Sequence, residues 1–128
     1  MGLEDRNRRG GRRLLRSFRF AFEGLLHVVK NEQNMQIHLV AGVVVLTLGF
    51  LLNIPLAHWL ILLLVVGGML TLEIMNTAIE RTVDLVSEDY HPLAKRAKDV
   101  AAAAVFVFCL FAIGIGLLIF IPPMVALF

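Results

Sequence analysis

Glu73-Ile-Met-Asn-Thr-Ala-Ile-Glu80 stands at the end of a long apolar segment and introduces polar side chains into it. Residues three and four apart share one face of a helix, so this stretch forms a polar ridge with Asp84. The preceding segment, from Leu56 to Leu72, crosses most of a bilayer core of about 30 Å at about 1.5 Å per residue. Glu73 is therefore predicted to lie near a membrane boundary, where an ionisable side chain indicates a functional site.

The composition is typical of a membrane protein. Hydrophobic residues make up 59% and charged residues 17% of the 128 positions, against roughly 45–50% and about 25% in soluble domains. The length allows one small domain, so any chemistry must use the membrane helices and their connections. The N-terminal segment is rich in arginine, which beside a membrane span favours anionic lipid headgroups over nucleic acid as its partner.

The order of segments predicts an all-α membrane protein. Residues 1–12 are expected to form a basic, disordered arm, and residues 13–128 a single membrane domain. Apolar residues recur at spacings of three and four over 13–30, which predicts an amphipathic helix lying in the membrane interface. Three membrane-spanning helices are predicted at 35–52, 56–86 and 93–121, with the last one ending at Pro122-Pro123.

The distribution of Lys and Arg predicts the orientation. Basic residues lie in the N-terminal region and again between Arg81 and Lys98, whereas the turn at Asn53 to Pro55 and the C-terminus have none. Because Lys and Arg are enriched on the cytoplasmic side, we expect a cell membrane protein with its N-terminus cytoplasmic and its C-terminus outside. The polar ridge would then face the compartment that holds ATP.

Acidic residues at this end have the chemistry to hold a divalent cation and its nucleotide. Mg²⁺ takes few protein oxygens, keeps waters and binds phosphates, and Glu32 and Glu80 are the predicted ligands. Glu73 lies two turns deeper than Glu80, at the level where a lipid alcohol would present its hydroxyl. Glu73 is therefore the predicted general base.

Other interpretations of these residues are open at this point. Glu80, Asp84 and Asp99 would also suit solvated or salt-bridged helix ends, and Glu73 would suit a hydrogen bond to a neighbouring helix. The same carboxylates would serve a proton or cation pathway, or a non-catalytic membrane scaffold. The histidines show no zinc-ligand spacing, and the chain contains neither a phosphate-binding loop nor a protein-kinase motif.

The motif that starts at Glu73 resembles the signature of the prokaryotic diacylglycerol kinase family, together with Val83-Asp84, Tyr90-His91 and Ala97-Lys98-Asp99. The resemblance extends from Arg13 onward. It implies transfer of phosphate from ATP, with Mg²⁺, to a lipid alcohol, and a homotrimer whose sites are shared between neighbouring chains. The matching positions imply Glu73 as general base and Glu32 and Glu80 as Mg²⁺ ligands. Nucleotide contacts are implied at Arg13, Asn76, Asp89, Tyr90, His91, Lys98 and Asp99.

Further details are similar to the Gram-positive branch of the family, among them Asn76-Thr-Ala-Ile-Glu80 and the C-terminal Ile119-Phe-Ile-Pro122. That branch implies phosphorylation of undecaprenol, and diacylglycerol is the alternative substrate. Two positions depart from other members: Phe20 stands where a Tyr occurs, and Asp89 where some have Glu. The residues alone do not distinguish the two lipid tails or the preferred nucleotide.

Overall fold

A computed structural model describes residues 10–86 and 89–128. Its elements are four helices: α1, Gly11–Asn31; α2, Gln33–Leu51; α3, Leu56–Val86; and α4, Pro92–Val125. The last three are long and apolar enough to cross a membrane. The prediction of an all-helical chain with three spans is confirmed.

The break between α1 and α2 is a single residue. Glu32 is extended, with φ −106° and ψ 115°, and its N–H still bonds to the carbonyl of Val28 at 2.9 Å. The side-chain amide of Gln36 donates to the carbonyls of Val29 and Lys30, both at 3.2 Å. These bonds satisfy carbonyl groups that the end of α1 would otherwise leave unpaired. The sharp junction thereby fixes the position of Glu32.

The turn between α2 and α3 forms an antiparallel hairpin. Asn53 adopts a left-handed conformation with φ 49°. The carbonyl of Pro55 accepts the N–H groups of His58 and Trp59 and so starts α3. The hairpin packs α3 against α2, and α4 then packs along α3 more extensively.

The apolar core lies at the turn end of the bundle. Ile54 in the turn and Leu62 in α3 are buried against Ile119 and Phe120 of α4. Many other large apolar side chains of the three candidate spans are exposed, among them Phe50, Leu64, Phe111 and Leu118. In a bilayer such side chains contact lipid instead of water, which removes the cost of their exposure.

Several predicted boundaries need correction. The last helix ends at Val125 rather than at residue 121, and Pro122 and Pro123 lie inside it. Each proline removes one backbone donor in the final turns, but the N–H of Ala126 bonds to the carbonyl of Pro122 at 3.1 Å, so the helical geometry continues. The second helix runs over Gln33–Leu51 instead of 35–52.

The predicted N-terminal arm is also partly wrong. Gly11 and Arg12 belong to α1, which covers Gly11–Asn31 rather than 13–30. Gly10 takes the N-cap position with φ 139°, a conformation that favours glycine, and its carbonyl accepts the N–H of Arg13 at 3.0 Å. The remainder of the arm, residues 1–9, lies outside the described residues, as do positions 87 and 88 of the predicted connector.

Candidate active site

The polar ridge of α3 is buried where it meets the rest of the bundle. Glu73, Asn76 and Thr77 retain only 3%, 7% and 5% of their accessible surface. Their spacing places them on one face of the helix. Among the described residues these three are the buried polar or charged side chains. The polar ridge predicted from the sequence is therefore also the part of the protein where polar side chains are buried.

The Glu73 carboxylate contacts α2. Its Oε1 lies 3.0 Å from Nε2 of His38, and both side chains are largely shielded from solvent. Sequence spacing excluded His38 as a zinc ligand but did not predict this pair. His38 lies 15 residues before Asn53 and Glu73 lies 20 residues after it, so equal spacing from the turn does not pair them and the sequence offered no signal for this contact.

One turn further along α3, Asn76 and Glu80 interact. The amide nitrogen of Asn76 donates to Oε1 of Glu80 at 3.1 Å. The amide oxygen of Asn76 is buried and has no hydrogen-bond partner. Buried carbonyl oxygens in proteins nearly always have a donor or a cation beside them. This oxygen therefore has room for a donor or a cation that the described residues do not supply.

Glu32 is brought to the same part of α3. Its Oε1 accepts a hydrogen bond from Nη2 of Arg81 at 2.6 Å, and Arg81 directly follows Glu80. This ion pair holds Glu32 beside the turn of α3 that contains Glu80. No group of three or more His, Cys, Asp or Glu side chains arranged for a metal occurs within residues 10–86 and 89–128.

The donor set nevertheless fits Mg²⁺ carried by a nucleotide. The ion needs hard oxygen donors but few from the protein, because it retains waters and takes phosphate oxygens. Two carboxylates at the Glu32 and Glu80 positions, with the unpaired oxygen of Asn76 close to Glu80, supply such donors. A dedicated all-protein cage is not required.

A second cluster lies where α3 meets the start of α4. Lys98 of α4 is ion-paired with Asp84 of α3. Nδ1 of His91 accepts the N–H of Leu93 at 3.2 Å and caps α4, with Pro92 in the first turn. A cleft of about 340 Å³ opens here. Its lining residues are Val83, Asp84, Asp89, Tyr90, His91, Ala94, Lys95 and Lys98.

Most of the predicted nucleotide contacts are thus brought together. Asp89, Tyr90, His91 and Lys98 share the cleft. Asp99 does not line the cleft, but it forms an ion pair with Lys95, which does: Nζ of Lys95 lies 2.5 Å from Oδ2 of Asp99. Arg13 is not among the residues that line the cleft, and its side chain is exposed in the first turn of α1. The ion pairs of Asp84 and Asp99 agree with the alternative of salt-bridged helix ends.

An apolar groove of about 210 Å³ runs between the three candidate spans. Its walls come from α2, α3 and α4, and His38 lines it as well as contacting Glu73. The remaining lining residues are Ala41, Gly42, Val45, Leu62, Val65, Val66, Met69, Cys109, Ala112 and Ile113. Cys109 of α4 is partly buried and forms part of this wall.

The fold and the site together define a small helical membrane protein in which the carboxylate of Glu73 is buried between the helices. The family model described as prokaryotic diacylglycerol kinase matches residues 19–120. The chain belongs to the prokaryotic diacylglycerol kinase family and is a kinase. The resemblance inferred from the motif is confirmed, and a pathway for ions or a non-catalytic scaffold is no longer a competing class.

Three relatives illustrate the similarity. The undecaprenol kinase of Bacillus subtilis is 47% identical over 112 residues, which cover 88% of this chain and 91% of that protein. The diacylglycerol kinase of Synechocystis is 39% identical, covering 89% of this chain and 66% of that protein. The diacylglycerol kinase of Escherichia coli K12 is 30% identical, covering 79% and 83%. The family is therefore represented by relatives named for two different lipid substrates.

Proposed function

We propose that the protein is an undecaprenol kinase, which transfers the γ-phosphate of ATP to the hydroxyl of undecaprenol. The observation that carries this substrate is the 47% identity with a protein of that activity over nearly the full length of both chains. Diacylglycerol is the second candidate, because other relatives that match most of this chain are diacylglycerol kinases.

Glu73 is the proposed general base. Its burial at 3% exposure and its depth in α3 suit a group that meets a lipid hydroxyl rather than water. The hydroxyl oxygen attacks the γ-phosphorus in line with the leaving ADP oxygen, while its proton passes to Glu73. Phosphoryl transfer depends mainly on positioning and charge stabilisation, so a site built from few side chains is sufficient.

Glu32, Glu80 and Asn76 are the proposed residues that hold Mg²⁺ with the nucleotide. When bound, the ion would neutralise charge on the β- and γ-phosphates. Lys98 would offset charge on the phosphates from the cleft beside α4, where Asp89, Tyr90 and His91 also lie. Asp99 and Arg13 complete the proposed nucleotide contacts on family resemblance alone.

The membrane arrangement is part of the same proposal. The contact of Glu32 with Arg81 and the pairing of Lys98 with Asp84 support placing the basic N-terminal and connector regions on one, cytoplasmic side. The C-terminus would then lie outside the cell membrane. Exposed Leu14, Phe18 and Phe22 on α1 support an interfacial position for that helix.

A homotrimer is proposed from the family resemblance. Each site would be shared between neighbouring chains. The unpaired amide oxygen of the buried Asn76 supports a site that is incomplete in a single chain without ligand. Chemical cross-linking in membranes should yield a species of three chains, and a ladder that ends at two would contradict it.

The deciding experiment offers both lipids to one enzyme preparation. Purified protein in mixed micelles receives Mg-ATP with undecaprenol and diacylglycerol side by side, and the labelled lipid products are separated. We expect a marked preference for undecaprenol. A preference for diacylglycerol would keep the mechanism and replace the substrate, and no transfer to either lipid by folded protein would overturn the proposed function.

A further inference from the structure

The contact between His38 and Glu73 is unexplained by the mechanism above. Nε2 of His38 lies 3.0 Å from Oε1 of Glu73, with side-chain exposures of 19% and 4%. The pair joins α2 to α3 where the buried polar ridge meets the apolar groove that His38 lines. A carboxylate is costly to bury unless it is hydrogen-bonded, and a partner on another helix also fixes its direction.

We infer that His38 is a positioning residue for phosphoryl transfer, holding the Glu73 carboxylate in place so that Oε2 can accept the proton of the lipid hydroxyl. The inference rests on the proposed function. The oxygen of the lipid forms its bond to the γ-phosphorus as the bond between that phosphorus and the β–γ bridging oxygen breaks. ADP leaves, the lipid proton passes to Glu73, and His38 exchanges no proton in this step.

The protonation of the pair follows from the role of Glu73. A carboxylate must be ionised to accept a proton, and in that form both of its oxygens are only acceptors. The contact is then a hydrogen bond in which Nε2–H of His38 donates to Oε1. A donor that is itself fixed on α2 restricts the rotation of the long Glu73 side chain, and a general base must lie within hydrogen-bond reach of its proton.

The position of His38 relative to the groove supports the assignment. His38 lines the apolar groove between α2, α3 and α4 together with Gly42, Met69 and Cys109. It therefore adjoins both an apolar surface and the proposed base. Within residues 10–86 and 89–128, His38 is the side chain that pairs with the Glu73 carboxylate. Removing His38 therefore leaves this carboxylate with no donor from the described residues.

The test compares three replacements of His38 with one control. His38→Leu removes the donor, His38→Asn shortens its reach, and His38→Gln keeps an N–H at nearly the same distance from the backbone. A hydrogen bond to a charged group predicts that kcat falls about tenfold or more for Leu and Asn. We expect the KM for Mg-ATP to change less than twofold in these variants, and the His38→Gln variant to retain most of the wild-type kcat. The control is His58→Leu, which changes the other histidine of the hairpin and should leave kcat unchanged.

A double-mutant cycle separates positioning from general damage. In the Glu73→Gln background, His38→Leu should cause no further loss of the residual rate, because the group on which His38 acts is already gone. A further tenfold loss would overturn the inference, as would equal defects in the Gln and Leu variants. Elution in detergent and thermal unfolding show which variants fold, and the Asn and Gln variants decide the question if the Leu variant does not.

The outcomes also distinguish this inference from the proposed function. A wild-type protein that phosphorylates neither lipid would overturn both. An inactive Glu73→Gln variant beside a fully active His38→Leu variant would overturn the role of His38 and leave the proposed function standing.

Discussion

Nη2 of Arg81 lies 2.6 Å from Oε1 of Glu32, and this ion pair ties α3 to the single-residue break between α1 and α2. The contact has two consequences. It holds Glu32 next to the turn of α3 that carries Glu80, as a site for Mg-nucleotide requires. It also pairs the positively charged Arg81 with the Glu32 carboxylate, which is a proposed ligand of Mg²⁺. If Glu32 holds the ion as proposed, the guanidinium and the metal ion would compete for the charge of this carboxylate.

Replacing Arg81 with Gln should lower the Mg²⁺ concentration that gives half-maximal activity. The Arg81 side chain is 62% exposed, and exposed ion pairs are weak because water screens them, so we expect a decrease of at most about fivefold. The measurement is the initial rate against Mg²⁺ concentration at fixed ATP. Arg19→Gln is the matched control, since it removes a similar exposed pair with Glu23 on α1. A higher Mg²⁺ requirement in Arg81→Gln would show that Arg81 organises Glu32 instead of competing for it.

Replacing Glu73 with Gln should lower kcat by at least about 100-fold, which is near the lower range of general-base effects. Gln matches the shape of Glu but cannot take the lipid proton, so the affinity for nucleotide should change little. Steady-state kinetics together with binding of an ATP analogue separate the two quantities. A near-normal kcat in Glu73→Gln would contradict the assignment of Glu73 as general base.

Replacing Glu80 with Ala should raise both the Mg²⁺ requirement and the KM for ATP, by about tenfold if a charged contact to the bound ion is lost. The substitution also removes the acceptor of the Asn76 amide. Rates measured over a grid of Mg²⁺ and ATP concentrations give both parameters. Glu23→Ala on α1 provides a carboxylate control outside the proposed site, and an unchanged metal dependence in Glu80→Ala would contradict the assignment.

Much of the fold was predictable because the length of an apolar segment and the residues of a turn depend only on neighbouring positions in the chain. The lengths of the apolar segments predicted the three spans, and the turn at Asn53 to Pro55 separates the first two, as the structure confirms. The rule that proline ends a helix failed at Pro122, since two missing donors near a terminus cost few bonds and the following N–H groups restore the turn. The start of α1 was misplaced because Gly10 and not Arg13 provides the change of backbone direction.

The site was predictable along α3 but not across helices. Helical periodicity placed Glu73, Asn76 and Glu80 on one face without further information. The partners His38 and Arg81 depend on the register between helices, which side-chain packing sets over the whole hairpin. The orientation of Lys98 toward Asp84 likewise depends on how α4 packs on α3, and periodicity within one helix carries no information about it.

The adjacent residues Gly67 and Gly68 of α3 differ in their surroundings, so replacing each with Ala should affect stability differently. A Cβ on Gly68 would lie 2.7 Å from Cζ of Phe108 in α4, whereas a Cβ on Gly67 meets nothing within 4 Å. Gly68→Ala must therefore displace the Phe108 ring or separate α3 from α4, and overpacking of this kind costs about 1–3 kcal/mol. Gly67→Ala should be neutral or slightly stabilising, because alanine favours the helix.

Thermal unfolding in detergent, followed by the fluorescence of Trp59, measures this difference directly. We expect a lower midpoint for Gly68→Ala and an unchanged or higher one for Gly67→Ala. Phe108→Leu in the Gly68→Ala background should recover part of the loss, because it removes the ring atom that the new methyl group approaches. Equal midpoints for the two glycine variants would contradict the close packing of α3 on α4. A loss confined to Gly67→Ala would instead indicate that this face of α3 meets another chain, as the proposed trimer allows.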